Sequence, residues 1–60
     1  MDNYYGISSG IWMIRQDMTT HSVELLKYGE VIEVWLENRA LTWDEMHAKL
    51  AEKTFEGREK

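Results

Sequence analysis

No disulfide can hold this chain together. Its 60 residues include no cysteine, and that limits the possible folds more than any motif does. A domain of this length buries only about 60% of the surface its unfolded chain exposes. Its core can supply on the order of 3–5 kcal/mol of net stability. Natural domains of this size usually add disulfides, a metal or a second subunit. The first is excluded here, a thiolate metal site is excluded with it, and His21 and His47 are a thin basis for any other. The sequence therefore predicts a single small domain over residues 1–60, with frayed ends, sustained by well-formed local structure and by association.

Eleven acidic residues against seven basic ones give a net charge of −4. The acids concentrate in the middle: Glu24, Glu30, Glu33, Glu37, Asp44 and Glu45 stand against only Lys27 and Arg39. Nucleic-acid binders normally carry the opposite sign, because neutralising phosphate supplies most of their affinity. Nucleic acid and anionic membrane surfaces are disfavoured on this ground, and a protein partner with a basic surface is expected. The first residues have neither the basic start nor the apolar run of a signal peptide. No segment approaches the roughly 20 apolar residues of a membrane-spanning helix. A cysteine-free composition also fits a reducing compartment. The expectation is a complete, soluble, cytoplasmic chain.

The most strongly marked element is a helix over about residues 42–56. Thr42 is a good N-cap with Glu45 three residues on, which makes a capping box, and Leu41 and Met46 are placed as a hydrophobic staple. Asp44 and Glu45 lie in the first turn, where the helix dipole favours acids. Trp43, Met46, Leu50 and Ala51 recur at helical spacing as an apolar stripe, and Gly57 is a natural terminator. Three further segments read as strands. Residues 30–37 are dense in β-branched and aromatic side chains, and residues 10–16 (Gly-Ile-Trp-Met-Ile-Arg-Gln) are similar. Residues 22–28 fit a short helix, capped by Ser22 and ended at Gly29, or a strand, which is preferred: residues 22–27 then join residues 30–37 through a tight Tyr28-Gly29 turn, with Gly29 taking the positive φ. That register opposes Lys27 to Glu30 and Leu25 to Ile32, both favourable, and Glu24 to Glu33, which is not. The predicted fold is α+β, two or three antiparallel strands packed on one C-terminal helix. The alternative is a helical hairpin, since Leu25, Tyr28, Ile32, Trp35 and Leu36 also match a helical period. Gly29, Val31, Ile32 and Val34 argue against it.

Three patterns suggest chemistry, and each has a plainer reading. Gly6-Ile7-Ser8-Ser9-Gly10 matches the G-x-S-x-G nucleophile elbow, but that motif needs a large parallel sheet and a following helix. A Gly/Ser-rich turn before a strand is the better reading. Asp44 and His47, three apart on a helix, could share a metal with His21 and Asp17. A functional site needs three or four convergent ligands with supporting hydrogen bonds, and only one pair has a determined spacing. Glu30, Glu33 and Glu37 could be acid–base carboxylates, yet such pairs need a cleft to separate their pKa values. No enzyme, metal or cofactor is expected.

The aromatic content is more informative. Three tryptophans and three tyrosines occur in the 60 residues, and a single helix can cover only one face of a small sheet. Alternation places Ile32, Val34 and Leu36 on one face of their strand, with Val31, Glu33 and Trp35 on the other. The uncovered face is then expected to expose some of Trp12, Ile14, Val31 and Trp35, an apolar patch of the kind that marks interfaces. The expected contact residues are Trp12, Tyr28, Glu30, Glu33, Trp35 and Glu37. The sequence reading is a non-enzymatic protein-binding module, forming a homodimer and acting as a phage-type inhibitor, an antidote or an adaptor. Acidic imitation of nucleic acid is one mode of action. Rival readings are a small dimeric DNA-binding regulator, using Arg15, Arg39, Lys49, Lys53, Arg58 and Lys60, and a structural subunit of a larger assembly.

Overall fold

The computed structural model describes the backbone of residues 3–59 and the side chains of residues 3–54. Four strands follow one another, β1 (Tyr4–Ser9), β2 (Trp12–Asp17), β3 (Ser22–Lys27) and β4 (Glu30–Leu36), and one helix, α1 (Trp43–Glu59), closes the chain. Each strand pairs antiparallel with its neighbour in sequence, in the order β1-β2-β3-β4. This is the predicted α+β class with one more strand. The addition is β1, whose Tyr-Tyr-Gly-Ile-Ser-Ser composition hides it behind turn-forming residues. The G-x-S-x-G segment is therefore strand up to Ser9, with Gly10 in the hairpin turn.

The turns follow from local chemistry. At β1–β2, Gly10 alone takes a positive φ, 62°, the pattern of a type II′ turn. At β3–β4 both central residues are left-handed, Tyr28 at 55° and Gly29 at 77°, as a type I′ turn requires. Tyr28 thus shares the strained conformation assigned to Gly29 alone, at a cost of roughly 1 kcal/mol for a residue with a Cβ. The longer β2–β3 connection is organised by Asp17, whose Oδ1 accepts the N–H groups of Thr19 (2.7 Å) and Thr20 (3.2 Å).

A β-bulge decides which side chains face the helix. The β3–β4 ladder begins as expected, Lys27 opposite Glu30 and Leu26 opposite Val31, then shifts so that Leu25 faces Glu33 and Glu24 faces Val34. Ile32 is left without a partner in the register. Since side chains alternate, a one-residue shift moves everything beyond it to the other side of the sheet. Trp35 and Glu33 therefore join Val23 and Leu25 on the helix side, and Val34 and Leu36 face away. This corrects the expectation that Ile32, Val34 and Leu36 form the core face while Trp12, Ile14, Val31 and Trp35 lie open. Of that last set only Val31 is on the uncovered side. The bulge also removes the opposition of Glu24 to Glu33. Glu24 takes the Arg15 guanidinium at 2.6 Å and Glu33 takes the Lys53 ammonium at 2.8 Å.

The core lies between the sheet and α1. Ile14, Val23 and Leu25 meet Leu41, Met46 and Leu50, with Ile7, Trp12 and Trp35 at the margin. Leu41 and Met46, the predicted staple, are both part of it. Trp43, expected inside, is 58% exposed and packs its ring edge-on against His47 at 4.0 Å. Position N1 of the helix points past the sheet, so the buried stripe starts at Met46. Nor does Gly57 end the helix, which continues to Glu59. A glycine weakens a helix by about 1 kcal/mol relative to alanine without terminating it.

Among the described residues one polar side chain is fully buried. Gln16 projects from β2 into the core, donating from Nε2 to the carbonyls of His21 (3.1 Å) and Arg39 (3.0 Å) and accepting the Leu41 N–H at Oε1 (2.8 Å). It thereby ties the β2–β3 connection to the segment that starts the helix.

The helix start is held as its sequence predicts. Thr42 N–H donates to Glu45 Oε1 (2.8 Å), and Glu45 N–H donates to Thr42 Oγ1 (3.1 Å). Arg39 forks onto the same carboxylate. Its hydrogen bond and the backbone hydrogen bond from Thr42 lower the Glu45 pKa from 4.5 to about 2, and Arg39 is raised in turn. A carboxylate whose pKa is depressed by folding stabilises the fold above its unfolded pKa, and the contribution disappears as pH falls through the folded value. Acid titration of stability should thus show a loss between about pH 4.5 and 2. Glu45→Gln preserves the capping box but not the charge and should flatten that part of the curve. An unchanged acid limb in chemical denaturation would count against the pairing.

Candidate interaction surface

The helix lies over β1 and β2, so the opposite face of the sheet is bare, as is the outer edge of β4. At the centre of the bare face is a polar chain across three strands. Arg15 on β2 bonds Glu24 on β3 and stacks over the Tyr4 ring on β1, 4.6 Å from its centroid. Gly6, directly opposite Arg15 in the register, leaves room for this. A Cβ there would lie 2.2 Å from the Ile14 carbonyl oxygen and 2.7 Å from the Arg15 Cα.

Beside this chain runs an apolar strip. Met13 and Leu26 oppose one another and Val31 lies beyond them. Leu26 is 5% exposed yet belongs to no part of the helix-side core, so the strip carries a small cluster of its own. Val34 (56% exposed) and Leu36 (72%) extend it along β4. Ile11 and Tyr28 stand at its end, where the two hairpin turns meet through a Tyr28 N–H bond to the Ile11 carbonyl (2.8 Å).

The residues expected to make contact divide into two groups. Tyr28 and Glu30 are exposed at the β3–β4 turn. Trp12 and Trp35 are half-buried on the helix side, each beneath a lysine ammonium, Lys27 at 5.1 Å and Lys53 at 4.9 Å from the ring centroid. Glu33 pairs with Lys53, and Glu37 accepts the Trp35 Nε1–H at 2.7 Å. The six thus do not form one patch. Reading the sequence missed Val34 and Leu36 as surface residues, because their assignment depends on the bulge.

Four of the acids with described side chains, Glu24, Glu33, Glu45 and Glu52, each hold a basic residue. The same pairs engage Arg15, Arg39, Lys49 and Lys53. The side chains of Arg58 and Lys60, the remainder of the proposed basic tail, lie outside the described residues. No three His, Asp or Glu converge on a common point among the described residues. Nor is any helix among them long and apolar enough to cross a membrane.

A groove of about 280 Å³ lies between α1 and the β1–β2 hairpin, lined by Ser8, Ser9, Trp12, His47, Leu50, Ala51 and Thr54. No family model, curated protein or solved structure matches this chain.

Proposed function

We propose that this protein is a non-enzymatic binding module, of the inhibitor, antidote or adaptor kind, that acts by occupying a surface of a larger protein. The observation that carries the reading is the strip of Met13, Val31, Val34 and Leu36 on the side of the sheet that the helix leaves bare. Contiguous apolar surface on so small a chain is the usual mark of an interface. The adjoining Arg15–Glu24 pair and exposed Tyr28 provide the polar and aromatic surroundings that interfaces favour.

The test compares proteins captured by the wild-type chain and by Leu36→Lys. Leu36 is too exposed for the substitution to disturb the core, so circular dichroism and melting temperature should be unchanged. A partner retained by the wild type and lost by the variant supports the reading. Equal retention of every captured protein by both would refute it.

A further inference from the structure

We infer that the free edge of β4 pairs with β4 of a second copy of this chain, antiparallel, with Val34 on the two-fold axis. The inference rests on the reading of the bare sheet side as an interaction surface, and it names the first occupant of that surface.

The backbone sets the possibilities. Glu37 N–H donates to the His21 carbonyl across the β3–β4 ladder at 3.2 Å. In an antiparallel ladder, residues facing the partner alternate with residues facing away. With Val23 opposite Trp35 and Leu25 opposite Glu33, residues 33, 35 and 37 turn their N–H and C=O groups towards β3. Val34 and Leu36 turn theirs outward. The helix, lying over β1 and β2, does not obstruct them. An edge with outward groups and apolar side chains is a template for another strand.

For an axis within the regular stretch between the bulge at Ile32 and the strand end at Leu36, charge then selects the register. Opposing residues in a symmetric pair must both face the new neighbour or both face away, so the axis falls on a residue. On Glu33 it would set that carboxylate against its own copy at the closest cross-strand spacing. On Trp35 it would oppose Glu33 to Glu37 of the second copy. Like charges directly opposite destabilise a pair. On Val34 no acids are opposed. Val34 meets Val34 of the second copy. Glu33 meets Trp35 of the second copy, whose ring carries Lys53 above it at 4.9 Å. The acid of one protomer is thus set beside a cation of the other, twice by symmetry. The product is a continuous eight-stranded sheet, both helices on one side and both apolar strips merged on the other.

Because the chain has no cysteine, single cysteines report the register. Opposing Cα atoms in a hydrogen-bonded antiparallel pair lie about 5.5 Å apart, within disulfide reach. Under mild oxidation Val34→Cys should cross-link to a dimer, while Leu36→Cys, offset from its own copy by four residues, should not. Sedimentation of the wild type should show twice the monomer mass at high concentration, reverting to monomer in Val34→Lys, with all variants checked for native circular dichroism. A wild type monomeric up to the millimolar range, or cross-linking of Leu36→Cys as fast as Val34→Cys, overturns the pairing. Partner capture that still depends on Leu36 in a monomeric protein would leave the binding-module reading intact.

Discussion

Replacing Gly6 with alanine should destabilise the protein by about 3 kcal/mol or more, the upper range for forcing an extra group into a packed site. The new Cβ would sit 2.2 Å from the Ile14 carbonyl oxygen and 2.8 Å from the Arg15 Cβ. The nearest atoms are backbone, so no side-chain rotation relieves the clash, and β1 must move away from β2. Ile7 would leave the margin of the core, and Tyr4 would lose its place under Arg15. Set against the few kcal/mol that such a core supplies, the change should leave little folded protein. Urea denaturation measures the loss, and amide exchange should show β1 unprotected before the other strands. A midpoint indistinguishable from wild type would mean that β1 does not lie this close to β2.

Gln16→Leu is the second large effect. The substitution conserves volume roughly but strands the buried Leu41 N–H and removes the donors to His21 and Arg39. An unpaired buried group costs about 1–3 kcal/mol, and with the two carbonyls partly recovering water the total should be about 2–4 kcal/mol. Gln16→Glu separates hydrogen bonding from packing. Its carboxylate would face two carbonyl oxygens where the amide donated, so its folded pKa should rise above the unfolded value of about 4.3. A carboxyl with a raised pKa destabilises the fold when ionised. The variant should therefore gain stability relative to wild type as pH falls from 7 towards 5. If Gln16→Leu melts like wild type, the three hydrogen bonds contribute nothing net.

What could be read from the sequence was local. The capping box of Thr42 and Glu45 and the staple of Leu41 and Met46 involve residues within five positions, so their types and spacing suffice. The Tyr28-Gly29 turn and the strands it joins are equally local. The features that were not legible depend on distant partners. β1 is a strand because β2 offers it an edge, and its glycine and serines conceal the fact. Glu24 and Glu33 looked like a conflict within a simple hairpin. Arg15 from β2 and Lys53 from the helix resolve it, and the bulge that separates the acids reverses the sidedness of β4. Gln16 looked like the polar end of a strand, because its partners lie five and more than twenty residues away. For the interaction surface the consequence was direct. The composition pointed to an apolar patch, but its side chains are Met13, Val31, Val34 and Leu36, of which only Val31 was expected there, and not Trp12 and Trp35.

The meander also has a bearing on folding. Every strand pairs with its neighbour in sequence, and hairpins close in about 1–10 μs. The 17-residue helix must instead dock across strands that lie far from it in sequence. Until it docks the sheet has no cover on either side, and Ile14, Val23 and Leu25, which it buries, face water alongside the β4 edge. The rate of docking, more than the rate of strand pairing, sets how long that apolar surface stays open.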